Sequence, residues 1–564
     1  MKKYLIIIVT ALSALSSCSD ILDVSSTDKV TDAAVWEDPN LISAYQVELY
    51  NCIQHGFRNW NDWLSKGTDE TYPSITWGPS MYQAGTMTPD NIGSLDYWNT
   101  GYQYIRKINV FIDKMESSTL NLPHKDTWVA EAKFLKAWIY FQLIIRYGGV
   151  PLVDKYWGID EGASVTFTRN TLEECIFEIE KLIAEAIPDL PQSYITNNAN
   201  YGRATQDVCR ALLSRMYLYM ASPLFNPTND QAKWQKAADA SLNFMNQAAG
   251  AYELYPDYGE GFRLASGALN KEFIFGRNFT STNGHEAPMD NLGRRWGAYG
   301  GWFASNGPSQ NLVDDYDMKS TGLPPFRWVN GVKEINEASG YDPQNPYNDR
   351  DPRLAATVIY DGSDYRGVTH EMWIASDESS WGYDSYKQSG DNPRTNYVLR
   401  KFMPELDQGV SWEIKCVVPW PFFRLAEIYL NYAEAMFELG NEDVCREYMN
   451  KVRDRVDMPI IPSTVTGEEL RQRLYNERRV EFAFESHRIF DVRRWKIAMD
   501  TENRDIYGMD IYKNVTTGVK TYVPVKLYEK NGNFNERMYM IPVSTNEIRK
   551  NGGTLEQTST WIGY

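Results

Sequence analysis

Apolar residues recur at helical spacing toward both ends of the chain. In "WVAEAKFLKAWIYFQLIIRYGGVP", Ala132, Leu135, Ile139 and Leu143 share one stripe, and Gly148, Gly149 and Pro151 end the helix. "TLEECIFEIEKLIAEAIPDLP" predicts a second amphipathic helix, with Thr171 and Glu174 spaced for a capping box. "ATQDVCRALLSRMYLYMAS" and "KWQKAADASLNFMNQAA" predict a helical hairpin turning around Pro223 and Pro227. "PFFRLAEIYLNYAEAMFELG" and "NEDVCREYMNKVRDRV" predict another, and "TGEELRQRLYNERRVEFAFESHRIFDVRRW" one long helix or a broken pair. Small residues at Ala426, Ala433 and Ala435 suit tetratricopeptide-like packing or a generic bundle, since no strict repeat appears.

Between about 252 and 420 this pattern gives way to Gly, Pro, Asn, Asp, Tyr and Trp, with short extended candidates "EFIFGR", "ATVIY" and "NYVLRKF". Such a length exceeds one loop of a compact domain and predicts an ordered irregular subdomain. Past residue 505 the chain is again irregular, with "KTYVPVKLYEK" and "ERMYMIPVS" as possible strands. The predicted organisation is a signal peptide (1–17), a helical region (18–250), an irregular ligand-binding region (251–420) and a helical region with tail (421–564).

The leader "MKKYLIIIVTALSALSSCSD" has a basic start, an apolar run and small residues before Cys18, which reads as a secretory signal peptide. Its "LSSC" end resembles a lipobox, making Cys18 the expected lipid attachment site, and acyl chains would hold a soluble body at a membrane. The net charge of −17 and the lack of a basic stripe argue against nucleic acid as a partner. Cys52, Cys175, Cys209, Cys416 and Cys445 are scattered without metal spacing and read as buried thiols.

No catalytic motif stands in a fitting context. The five histidines form no HExxH, and no GxSxG, phosphate-binding loop or GxGxxG is placed for chemistry. Acidic pairs such as Asp314-Asp315 and Glu173-Glu174 are common in so acidic a chain and single out no two-carboxylate site. The expectation is a non-catalytic protein with no cofactor. A structural calcium is compatible with the acidic composition but has no ligand pattern in the sequence.

Binding chemistry is better represented. Sugar rings lay C–H faces on aromatic planes while their hydroxyls bond Arg, Asn, Asp and Gln. With 18 Trp and 37 Tyr, the chain has more aromatic surface than helical packing requires. Three aromatic clusters lie in loops. The first holds Asp69, Tyr72, Trp77 and Tyr82; the second is "RRWGAYGGW", with Arg294, Arg295, Trp296, Tyr299 and Trp302; the third holds Trp373, Trp381 and Tyr383. The second fits neither a helix nor a strand, and its glycines allow a tight irregular path. The candidate ligand-binding residues are Asp69, Trp77, Arg295, Trp296, Tyr299 and Trp302. The third cluster is open between ligand and protein contact.

Eight stretches, in order, resemble the SusD/RagB family of Bacteroidetes outer-membrane nutrient-binding lipoproteins. They are "CSDILDV", "EAKFLKAWIYFQLIIRYGGVPLV", "PSQNLVDDYDMKSTG", "NDRDPRL", "YVLRKF", "PFFRLAEIYLNYAEAMFELG", "NERRVEFAFESHRIFDVRRW" and "IPVSTNEIRKN". "PSQNLVDDYD" departs from the family's common Thr-Gln-Glu. The resemblance implies a mostly α, tetratricopeptide-like scaffold carrying an irregular ligand-binding face. It also implies an outer-membrane, cell-surface location and pairing with a SusC-like TonB-dependent transporter, to which an oligosaccharide would be delivered. An oligopeptide ligand is the alternative within the fold, and a protein-binding tetratricopeptide adaptor the alternative outside it. The charged run in "NERRVEFAFESHRIFDVRRW" reads as scaffold, with i,i+3 and i,i+4 pairs along a helix.

Overall fold

The computed structural model describes residues 32–57, 63–73, 79–162, 164–195, 199–266, 269–296, 304–329, 331–405 and 413–563. Ten helices carry the scaffold: α1 (Pro39–Leu49), α2 (Trp98–Ser117), α3 (Lys125–Tyr147), α4 (Leu172–Ala186), α5 (Gln206–Ala221), α6 (Gln231–Gln247), α7 (Leu425–Glu438), α8 (Glu442–Asp454), α9 (Gly467–Glu481) and α10 (Arg488–Arg494). Neighbours pack in series, α2 on α3, α3 on α4, α5 on α6, α6 on α7 and α7 on α8. The architecture is the mostly helical, paired scaffold that the periodicity predicts.

Local signals explain the helix ends. Thr171 and Glu174 form the capping box of α4, each side chain bonding the other residue's backbone N–H. α3 stops at Gly148, whose φ of +77° suits glycine, and a Cβ on Gly149 would lie 2.1 Å from the Asn170 carbonyl oxygen. The basic run after α9 is a broken pair: Phe484 (φ +64°) and Ser486 (φ +67°) interrupt the helix before α10.

α3 is more buried than a single stripe implies, because α2 and α4 cover it from both sides. Phe134, Leu135, Ile139 and Leu143 are fully buried, each contributing about 1.5–3 kcal/mol. Its charges are matched: Glu131 is bound by Arg203 at 2.6 Å, and the Lys136 ammonium donates to Asn109 at 2.8 Å. The tail returns to this core through Met538, Ile541 and Trp561, so both ends of the chain share one apolar cluster. Ala426, Leu430 and Ala433 meet Cys445, Met449 and Leu474 in a separate cluster that closes α7, α8 and α9. Cys52, Cys175, Cys209, Cys416 and Cys445 are buried free thiols. No helix among the described residues is long and apolar enough to cross a membrane.

The middle of the chain is built from short strand pairs: β1 (Thr71–Tyr72) with β3 (Gly307–Pro308), and β2 (Phe273–Arg277) with β7 (Trp420–Arg424). A hairpin joins β4 (Phe326–Val329) to β5 (Val332–Ile335). A three-stranded sheet sets β8 (Ile506–Lys513) between β9 (Lys520–Tyr528) and the parallel β6 (Ile374–Ala375). "ERMYMIPVS" departs from the strand expectation: Glu536–Tyr539 is a 3-10 turn, whose Met538 and Tyr539 are buried against the helical core.

The charged run departs further from its expectation. Most of its pairs are not exposed helix rungs but buried bonds between elements. Glu481 on α9 receives Arg353 at 2.9 Å, Arg424 at 2.6 Å and Arg455 at 2.6 Å. Arg353 also reaches Asp351 and Glu477, and Arg424 also reaches Glu272 and Glu485. All these side chains are almost fully removed from water. Burial opposes ionisation of Glu481, but Arg455, Arg424 and Arg353 together hold its carboxyl well below the usual carboxylate range. Removing one partner from such a cluster leaves buried charge without compensation. Glu481→Gln should therefore lower the urea-unfolding free energy by about 3–5 kcal/mol at pH 7. Glu253→Gln, which breaks the exposed Lys271–Glu253 pair, should leave the midpoint unchanged. Equal effects of the two substitutions would contradict this burial.

Candidate functional site

The three aromatic clusters, the first more than 200 residues before the others, are brought to one region by backbone pairing and one asparagine. β1 ends shortly before residues 74–78, which include Trp77, and β3 begins shortly after residues 297–303, which include Tyr299 and Trp302, so the described flanks of both segments meet in one strand pair. Asn392, 1% exposed, accepts from the Arg294 N–H at 3.0 Å and donates to the Tyr383 and Ser385 carbonyls at 3.2 and 3.0 Å. One buried amide thus clamps the second cluster to the third. A Cβ on Gly307 would fall 2.8 Å from Thr395 Oγ1, so this close approach requires glycine.

Below the strand pair, Asp69 plugs the first cluster into the scaffold. Its carboxylate is bound by Arg479 at 2.6 Å and Arg488 at 3.0 Å, and only 2% of the residue is exposed. The Ser309 hydroxyl donates to the Asp69 carbonyl at 2.5 Å, and the Ser309 N–H donates to the Glu70 carbonyl at 2.8 Å. The expectation that Asp69 bonds ligand hydroxyls is therefore corrected. It is an anchor, with both carboxylate oxygens engaged by arginines and no access to a surface ligand.

Arg295 lies at the surface but is oriented by the protein. Its guanidinium makes two parallel bonds to Asp384, both 2.8 Å, and lies 4.4 Å from the centroid of the Tyr383 ring. The bonds to Asp384 push Arg295 above its ordinary value, against partial burial. Asp384 also accepts the Glu371 N–H at 2.9 Å. Arg294 lies 5.7 Å from the same Tyr383 ring. Tyr383 keeps 43% of its surface exposed and Trp381 keeps 40%, while the Trp381 indole N–H is fixed to Gln388 at 2.6 Å. These are rigid, partly open rings.

Trp296 is half-buried and held on several sides. Its indole N–H donates to His370 Nε2 at 2.9 Å, Tyr365 meets it edge-on at 5.5 Å, and Arg366 lies 5.7 Å from its ring. The structure thus brings Arg295 and Trp296 together with the third cluster. Trp77, Tyr299 and Trp302 lie outside the described residues, as do the leader and Cys18.

Further aromatic and cationic pairs extend this region along the sheet. Tyr72 stacks on Tyr528 of β9 at 6.3 Å. Arg394 stacks on Tyr386 at 4.0 Å, and both bond Asp510. Lys513 of β8 lies over Trp373 at 4.4 Å. Tyr383, Asp384, His370 and Asn392 are the residues that sequence reasoning did not assign. Only Tyr383 had a signal, as part of the third cluster. A rival is a partly open pocket of about 90 Å³ lined by Trp138, Arg146, Arg215, Trp420 and His487. That is well below the roughly 300 Å³ at which ligand pockets begin. The ordered aromatic surface is the better candidate.

The SusD family model matches residues 271–561, more than half of the chain. The chain belongs to the SusD family. A second family model, described as starch-binding and associating with the outer membrane, matches residues 20–218 of this SusD-family chain. It is 24% identical to the starch-binding protein SusD of Bacteroides thetaiotaomicron, over 82% of this chain and 79% of that one. It is 21% identical to SusD-like protein P38 of Formosa agariphila, over 88% and 91%. Among solved structures, a SusD-like protein of Bacteroides fragilis superposes with a TM-score of 0.74 at 26% identity, over 95% of this chain and 99% of that one.

The Trp296–His370 bond needs a neutral imidazole, because Nε2 must accept. Burial lowers the His370 pKa from its usual 6.5, which favours that form. With a folded value below the unfolded one, this contribution is complete above about pH 6.5 and is lost as pH falls below it. His370→Gln offers a non-titrating amide acceptor, so its melting temperature should fall less than the wild type's between pH 8 and pH 5. Identical pH profiles would show that His370 does not anchor Trp296 in this way.

Proposed function

We propose that this SusD-family chain captures an oligosaccharide on its aromatic face and delivers it, without catalysis, to a SusC-like TonB-dependent outer-membrane transporter. A lipid on Cys18 would hold it at the cell surface. The observation that carries this reading is the Tyr383 ring braced by Arg295, with Arg295 itself fixed by Asp384 and the neighbouring Arg294 joined to the third cluster through Asn392. A sugar ring binds best to an aromatic plane already ordered, since little side-chain freedom is then lost on binding. Trp296 and Tyr383 would supply ring planes to the ligand, and Trp77, Tyr299 and Trp302 would add theirs. The free N–H groups of Arg295 would bond hydroxyls. Shallow, multivalent stacking fits chains of repeated sugar units better than a single enclosed monosaccharide.

The names of two relatives agree with this class of ligand: the Bacteroides thetaiotaomicron protein is called starch-binding, and a structural neighbour with a TM-score of 0.61 is called laminarin-binding. The test is retention of matched oligosaccharide and oligopeptide pools on the purified protein. Oligosaccharides should be retained, and Tyr383→Ala and Trp296→Ala should each weaken binding about 3- to 10-fold. Retention of peptides alone would replace this reading with the peptide one. Retention of neither would leave the protein-binding adaptor.

A further inference from the structure

Buried cations of this chain are mostly matched to carboxylates. Arg353, Arg424, Arg478, Arg479, Arg488 and Arg494 each meet at least one. The aromatic face breaks that pattern twice. Arg294 is half-buried and its backbone N–H is held by Asn392; among the described residues its guanidinium has no hydrogen bond or ion pair and lies against the Tyr383 ring. The Lys513 ammonium likewise lies over Trp373 without a carboxylate. The two rings lie on adjoining segments, since the Gly382 N–H donates to the Trp373 carbonyl at 2.9 Å. The carboxylates nearby are already engaged. Asp384 neutralises Arg295, and Glu371 accepts from the Trp373 indole at 3.4 Å. A chain of net charge −17 has carboxylates in excess, yet among the described residues none is paired with Arg294 or Lys513.

We propose that the ligand of this face is an acidic oligosaccharide, whose carboxylate or sulfate is bound by Arg294 while an adjoining sugar stacks on Tyr383, and whose further charge reaches Lys513. This rests on the carbohydrate reading above and narrows it. A planar guanidinium can meet either oxyanion with two parallel bonds, and partial burial makes such a charge-assisted contact stronger than one in open water. Desolvating Arg294 without a counter-charge has a cost in the free protein, and an anionic ligand would relieve it.

Calorimetry with neutral, uronate-containing and sulfated oligosaccharide pools of matched length tests this. Acidic pools should bind about 10-fold tighter than neutral ones at low salt, and the advantage should shrink as ionic strength rises. Arg294→Ala should remove most of that advantage, weakening the acidic pools far more than the neutral one. Arg294→Lys, which keeps the charge but not the fork, should retain part of it. Whichever acidic pool shows the Arg294-dependent gain identifies uronate or sulfate as the source. Equal affinity for neutral and acidic pools, or an acidic preference untouched by Arg294→Ala, would overturn the inference and leave the carbohydrate reading standing. If no oligosaccharide pool binds, both fall.

Discussion

Glu481 sits where α9 ends, buried among the guanidinium groups of Arg353, Arg424 and Arg455, and much of the architecture depends on that meeting. A charge brought out of water is costly unless its partners arrive with it, in good geometry. The cluster therefore forms only when α9, β7, the start of the short helix Pro352–Thr357 and the end of α8 reach their places together. Apolar packing alone would allow these pieces to slide. Paired forks and carboxylates allow far fewer arrangements, which suits a chain whose middle third has little regular secondary structure.

The same basic segment reaches the aromatic region. Arg479, two residues before Glu481, and Arg488, at the start of α10, close on Asp69. Asp69 is two residues before β1, and β1 pairs with β3. A chain of strong, directional contacts thus runs from the scaffold to the bases of two aromatic segments. The described flanks of both segments are thereby fixed, and side chains ordered in advance lose less entropy in any contact they make. Asn392 performs the matching task on the other side, tying Arg294 to Tyr383 and Ser385.

The helices were legible because their evidence is local. A capping box spans three residues, a stripe repeats every three or four, and a glycine stop stands next to the helix it ends. Asp69 was not legible for the opposite reason. Beside Tyr72 and Trp77 it looks like a polar residue on an open loop, but its partners lie 410 and 419 residues along the chain. The charged run after Tyr475 misled similarly. Its internal spacing fits exposed rungs, whereas the bonds that matter reach Arg353, Arg424 and Glu434 on other elements. The aromatic clusters were visible one at a time, but the contact between Arg295 and Asp384 spans 89 residues and follows from no local pattern. His370 had no sequence signal, since a lone buried histidine beside a tryptophan is specified only by the fold.

The central claim is that the ligand lies on the aromatic face and not in the pocket near Trp138 and Trp420. A crystal structure of the protein with a bound oligosaccharide tests it most directly. The account predicts sugar density over Tyr383, with polar contacts from the Arg294–Arg295 pair and Asp69 still sealed beneath by Arg479 and Arg488. Sugar bound in that pocket, or on a surface that leaves Tyr383, Trp296 and both arginines untouched, would contradict it.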